Sequence, residues 1–142
     1  MGETNKSVRG QAEAHENCKP VVDLLARIGD KWTVMVVGAL ARSGTLRYNE
    51  VHRAVEGISQ RMLTLTLKGL EENGLISRTV HPTVPPRVDY ALTALGRNLT
   101  VPLQSLYEWA LEHQADVLEA RKRFAARKDE EALRRATLYA PK

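Results

Sequence analysis

The stretch from Gly57 to Gly74 constrains this chain more than any other, because it carries a helix start signal, a stop signal and two chemically different faces between them. Ser59 can cap the N-terminus with its side-chain oxygen, Ile58 stands where a hydrophobic staple would meet Leu63, and Asn73-Gly74 supplies a left-handed stop. Leu63, Leu67 and Leu70 follow the i, i+4, i+7 spacing of a buried stripe, while Gln60, Arg61, Thr64 and Lys68 recur on the other side. The polar side carries hydrogen-bond donors and positive charge, with no carboxylate until Glu71.

Such a face suits an ordinary solvated helix, and it also suits the major groove of DNA. Arg pairs with guanine, Gln with adenine, and Thr meets a thymine methyl or a phosphate. The flanks decide between the two. On the N-terminal side, Tyr48 to Val55 reads as a helix with Val51 and Val55 inward, and Glu56-Gly57 breaks it. Helix, short break and helix form a helix-turn-helix, in which the second helix enters the groove and the first braces it. Arg47 and Tyr48, at the start of the brace, are placed to meet phosphate.

On the C-terminal side the period changes. Leu75 to Val80 alternates as a strand, His81-Pro82-Thr83-Val84-Pro85-Pro86 cannot be helical, and Arg87 to Leu92 alternates again. Two strands and a stiff loop directly after a helix-turn-helix make a wing, spanning 76–92. Arg78, His81 and Arg87 put positive or chargeable groups on it, suited to the DNA backbone or minor groove. An ordinary surface histidine is the alternative for His81.

Elsewhere the chain reads mostly as helix. Residues 1–17 lack periodicity and are expected to form a flexible arm. Val21, Val22, Leu24, Leu25 and Ile28 make a short apolar helix that Gly29-Asp30 ends. Asp30 is expected to cap a second helix running to about Ala41, with Trp32, Val36, Val37 and Leu40 in the core. Thr45-Leu46-Arg47 is long enough only for an edge strand. Thr93 caps a helix to about Gln114 that Pro102 should kink. A last helix, from about Asp116 to Ala136, presents Val117, Ala120 and Phe124 on one face and is expected to lie against a partner subunit. Beyond Lys128 a solvated tail is the alternative.

The 142 residues fit one domain, and 43% hydrophobic content is enough for a core. The net charge of +4 suits an anionic partner without requiring one. No run is long enough to span a membrane and no apolar leader precedes the chain, so a cytoplasmic location is expected.

The blocks Cys18-Lys19-Pro20, Ile28-Gly29-Asp30-Lys31-Trp32, Leu46 to Val51, Gly57 to Leu63, Leu70 to Ile76, Val84 to Tyr90 and Leu92 to Gly96 resemble those of HxlR-type winged helix-turn-helix regulators, in order over about residues 18–112. The resemblance implies a mainly α fold with a small β-wing and a winged helix-turn-helix over 18–114 carrying N- and C-terminal dimerisation helices; residues 115–142 read, from their own composition, as a charged helix and tail. It implies a homodimeric transcription factor, often a repressor, on double-stranded DNA. Helix 59–73 would lie in the major groove and the wing alongside. Dimer symmetry then implies a palindromic operator with half-sites ~34 Å apart or a multiple of that.

Some members similar to this sequence sense oxidants or electrophiles through an N-terminal cysteine. Cys18, the sole cysteine, stands beside Lys19 just before a helix, where a thiolate would be stabilised. A packed, inert thiol is the alternative. A small-molecule effector near Trp32, Tyr107 and Trp109 is a further reading, as is a winged-helix protein-interaction module without DNA binding. His15 and Cys18 do not complete a metal site. No phosphate loop, nucleophile elbow or carboxylate-histidine constellation points to an enzyme, so neither catalytic residues nor a cofactor are expected.

Overall fold

A computed structural model describes residues 18–140; the expected arm over 1–17 lies outside the described residues. The chain's internal contacts divide it into two units at Val101 and Pro102.

The first unit opens with helix α1 over residues 18–28, which Gly29 closes by donating its N–H to Leu25 O at 2.8 Å. Helix α2 follows (Lys31–Ser43), then strand β1 (Thr45–Arg47), helix α3 (Tyr48–Ala54), helix α4 (Gln60–Glu72), strands β2 (Ile76–His81) and β3 (Arg87–Leu92), and the start of helix α5 (Ala94–Leu138). The fold is mostly helical with one small sheet. Its three antiparallel strands are ordered β1-β3-β2. β2 and β3 pair from Ile76 opposite Leu92 out to His81 opposite Arg87, which makes the wing, and β1 pairs Arg47 with Asp89 on the other edge of β3.

The core is aliphatic. Val36, Val37 and Leu40 of α2 meet Val51 and Val55, the α4 stripe Leu63, Leu67 and Leu70, and Ile76, Tyr90 and Leu92 from the sheet. Trp32 departs from expectation: it is only half-buried, with the Lys31 ammonium 4.5 Å above its ring centroid. Valine and leucine fill the centre, so the indole sits at its margin. The capping role expected of Asp30 is also absent. Asp30 occupies the N-cap position of α2 with extended backbone and makes no side-chain cap bond. Its backbone carbonyl accepts from Val34 N at 3.0 Å instead, leaving the carboxylate to act on the helix only through its charge.

Thr93 ties α5 to the end of α4. Its hydroxyl donates to Gly74 O at 2.6 Å and accepts from Gly96 N at 3.1 Å, while its own N–H donates to Leu75 O at 3.0 Å. Gly74, with φ of +72°, takes the left-handed conformation that turns α4 into β2.

The second unit is helical, the continuation of α5. Two helices parted near Asp116 were expected; one continuous helix is observed through Leu138. No glycine or proline lies between Leu103 and Leu138, so nothing interrupts the backbone ladder. Asp116 therefore stays within the helix, 3.6 Å from His113 Nδ1 one turn earlier. Residues 129–138 are helical and exposed, with no solvated coil before Leu138.

Candidate nucleic-acid interface

Helix α4 begins where Ser59 Oγ accepts the Met62 N–H at 3.1 Å, so that hydroxyl serves as the cap. With Leu63, Leu67 and Leu70 anchored in the core, Gln60, Arg61, Thr64 and Lys68 are all exposed. Burial of one stripe thus fixes which side chains the other offers.

Tyr48 and Thr64 are brought together at this surface. The Tyr48 hydroxyl donates to Gln60 O at 2.9 Å and lies 3.0 Å from Thr64 Oγ1, which itself donates to Gln60 O at 2.9 Å. The phenol that the sequence placed toward phosphate is half-buried and bolts the start of α3 to the first turn of α4. Next to it, Arg47 ends β1, exposed, with its N–H held by Glu50 Oε1 at 3.0 Å. That bond is the reverse half of a capping box and fixes the entry into α3.

The wing gathers a second cluster. His81 Nε2 lies 2.9 Å from Asp89 Oδ2, and Arg87 Nε lies 3.5 Å from Asp89 Oδ1, an ion pair without a hydrogen bond to that nitrogen. The carboxylate is 19% exposed and sits between two partially exposed cationic or protonatable groups. Register explains the meeting. His81 faces Arg87 across the ladder, Asp89 is diagonal to His81, and Arg47 is directly opposite Asp89. Arg78 pairs with Tyr90 one residue out of phase, so it belongs to the opposite face of the hairpin and does not join this cluster.

Sequence reasoning passed over Asp89. The signal was present in the alternation Arg87-Val88-Asp89, which puts the acid and the base on one face, but the diagonal partner depends on where the loop reverses the chain.

The remaining candidates are on α1 and α5. Cys18 is exposed at the start of α1. Tyr107 and Trp109 are exposed on α5, with the Trp109 ring 5.0 Å from that of His113. Among the described residues no group of three His, Cys, Asp or Glu could hold a metal ion, and no helix is long and apolar enough to cross a membrane.

A family model described as HxlR-like helix-turn-helix matches residues 27–117. An uncharacterized HTH-type transcriptional regulator of Methanothermobacter thermautotrophicus is 49% identical over 82 residues, covering 58% of this chain and 62% of that protein, less than two thirds of its length. The uncharacterized HTH-type transcriptional regulator YtfH of Escherichia coli K12 is 35% identical over 111 residues, covering 78% of this chain and 86% of that one. The solved structure of the redox regulator HypR in its reduced form, 40% identical, superposes with a TM-score of 0.63 over 71% of this chain and 98% of that chain. The match to the family model takes in α2 through β3, the elements that position both Arg61 and Arg87, and the chain belongs to the HxlR-like helix-turn-helix family of DNA-binding transcriptional regulators.

Proposed function

We propose that this regulator acts as a homodimeric repressor in the cytoplasm, on a palindromic operator, with α4 in the major groove and the wing on the adjacent backbone or minor groove. The observation that carries the reading is the exposed face of α4. Gln60, Arg61, Thr64 and Lys68 are exposed, with no carboxylate before Glu71, on a helix capped by Ser59 and braced by Tyr48. Arg61 and Gln60 are the base readers. Lys68, Arg47, Arg78, His81 and Arg87 supply contacts to the backbone.

Dimerisation is supported by apolar side chains that a lone chain leaves in water. Val21, Val22, Leu24 and Leu25 are exposed on α1, as are Leu106, Leu111, Val117, Leu118 and Phe124 on α5. Large apolar residues clustered on helical faces in this way are what a subunit interface would cover. Residues 18–114 then act as the DNA-binding domain with its dimerisation helices, and the remainder of α5 extends the interface.

The test is fluorescence anisotropy of the purified protein on DNA from upstream of its own gene, with salt varied. Tight, competitor-resistant binding whose affinity falls steeply with salt supports the reading, because each phosphate contact releases counterions. Failure to select any sequence, there or from a random duplex library, would favour a protein-interaction module. A small-molecule effector bound near Trp32, or near Tyr107 and Trp109, would change the tryptophan emission.

A second reading concerns control. Cys18 is exposed and next to Lys19, and the similar HypR is described as a redox regulator. Oxidation of Cys18, by an intermolecular bridge or a thiol cap, would then change operator affinity. Diamide-treated and reduced protein compared on the same duplex decide it: equal binding discards the thiol switch and keeps the regulator.

A further inference from the structure

The tip of the wing is the most exposed apolar point among the described residues of the first unit, and nothing about phosphate binding calls for it. The hairpin runs from Ile76 and Leu92, buried at its base, to Val84 at its tip, whose accessible surface is 100% of its maximum. Val80, itself exposed, pairs across the ladder with Val88, so the apolar tip continues down the hairpin. Three of the five residues in the loop 82–86 are prolines with fixed φ. Thr83 braces it further, donating its N–H to His81 O at 2.8 Å and its hydroxyl to Pro85 O at 2.8 Å. Val84 is thus held out on a stiff support, with little chain entropy left to lose on contact.

Resting on the reading of α4 and the wing as a DNA-binding surface, we propose that Val84 is a wedge that enters the operator minor groove and partly unstacks one base step in each half-site, kinking the duplex.

Three observations favour this occupant. The last rung below the tip carries His81 and Arg87, with Arg78 on the opposite face of β2. An apolar point beside a guanidinium and a protonatable imidazole suits an apolar base stack flanked by phosphates. Size is the second. One fully exposed valine with Val80 behind it falls far short of the roughly 800 Å² per partner that a stable protein interface needs, whereas a wedge needs a single branched side chain. Position is the third: β2 leaves directly from the end of α4 and packs against it, so a tip beside a helix in the major groove reaches the neighbouring minor groove. Because pyrimidine–purine steps unstack most easily, Val84 would create a sequence preference where no hydrogen bond reads a base.

The experiment uses the full chain on duplexes that it selects from a random library. 2-Aminopurine is placed in turn at each step flanking the α4 contacts, and a fluorophore pair on the duplex ends reports bending. The wild type should raise 2-aminopurine emission at one step per half-site and shorten the end-to-end distance. Val84→Ser should keep the α4 footprint, lose the emission change and the bend, and weaken binding several-fold. Val84→Leu should restore both signals. An unchanged thermal melt for each variant confirms folding, as expected for a fully exposed site. Bending and unstacking that survive in Val84→Ser overturn the wedge, as does selective binding by the wild type without either signal; both outcomes leave the regulator reading standing. A wild type that selects no sequence overturns the regulator reading and the wedge together.

Discussion

The hydroxyl of Tyr48 lies 3.0 Å from that of Thr64, sixteen residues away, and both reach the carbonyl of Gln60. This triangle of oxygens joins the bracing helix to the first turn of the reading helix at the surface expected to face DNA. Removing the phenol oxygen with Tyr48→Phe should lower stability by about 0.5–1.5 kcal/mol, toward the lower end because water can replace an exposed partner. Operator binding should weaken as α4 loses its brace. The slope of log affinity against log salt should stay unchanged, since a brace releases no counterion. A slope that becomes shallower by about one would instead make Tyr48 a phosphate contact.

Arg61 and Arg87 should fail differently when truncated. Arg61 is exposed on the first turn of α4, and Arg61→Ala should cost about 1–3 kcal/mol on the preferred operator and relax specificity at one base position. Arg87 is held on the wing beside Asp89, and its loss should weaken all sequences alike and flatten the salt dependence. Competition against single-position operator variants separates the two. If neither substitution changes binding, the docking of α4 and the wing is wrong.

Asp89 is the one carboxylate inside the cationic wing cluster. Asp89→Asn keeps an acceptor for His81 but removes the charge that balances Arg87. The loss of stability should be less than about 1 kcal/mol, because both partners are partly solvated. Affinity for non-specific DNA should rise and its salt dependence steepen, as one repulsive charge beside the backbone disappears. Titration with poly(dI-dC) at several salt concentrations reads this directly, and an unchanged slope would mean that Asp89 stays remote from phosphate.

How much of this the sequence disclosed depends on how local each cause is. Helix α4 could be read because its cap, its stripe and its stop all lie within it; the Ser59 cap and the burial of Leu63, Leu67 and Leu70 follow. The wing could be read from alternation interrupted by prolines. Tyr48 was placed toward phosphate from its position at the start of α3; that its hydroxyl also reaches Gln60 O depends on how α3 meets the start of α4, which nothing in its neighbourhood shows. Asp89 escaped notice because its partnership with His81 follows from hairpin register. The break expected near Asp116 does not occur, because the chain around it contains neither glycine nor proline to end the helix. Trp32 shows that size alone does not place a residue at the centre when valines and leucines already fill it.

Gly96 marks where the wing's far end is locked to the start of α5. It is buried, and a Cβ at this position would collide with the backbone carbonyl oxygen of Leu75 and crowd a Leu92 methyl at 3.2 Å. The carbonyl cannot move aside cheaply, because it accepts the Thr93 N–H that helps to fix the start of the helix. In most helices Gly→Ala gains up to about 1 kcal/mol from propensity. Here the overpacking, typically about 1–3 kcal/mol, should exceed that gain, so Gly96→Ala is expected to destabilise the fold by on the order of 1–2 kcal/mol. Gly69→Ala is the control. It lies within α4 with nothing near the added methyl, and should leave stability equal or raised. Urea denaturation of the two variants beside the wild type measures the difference; equal midpoints would show that α5 can shift away from Leu75 without cost.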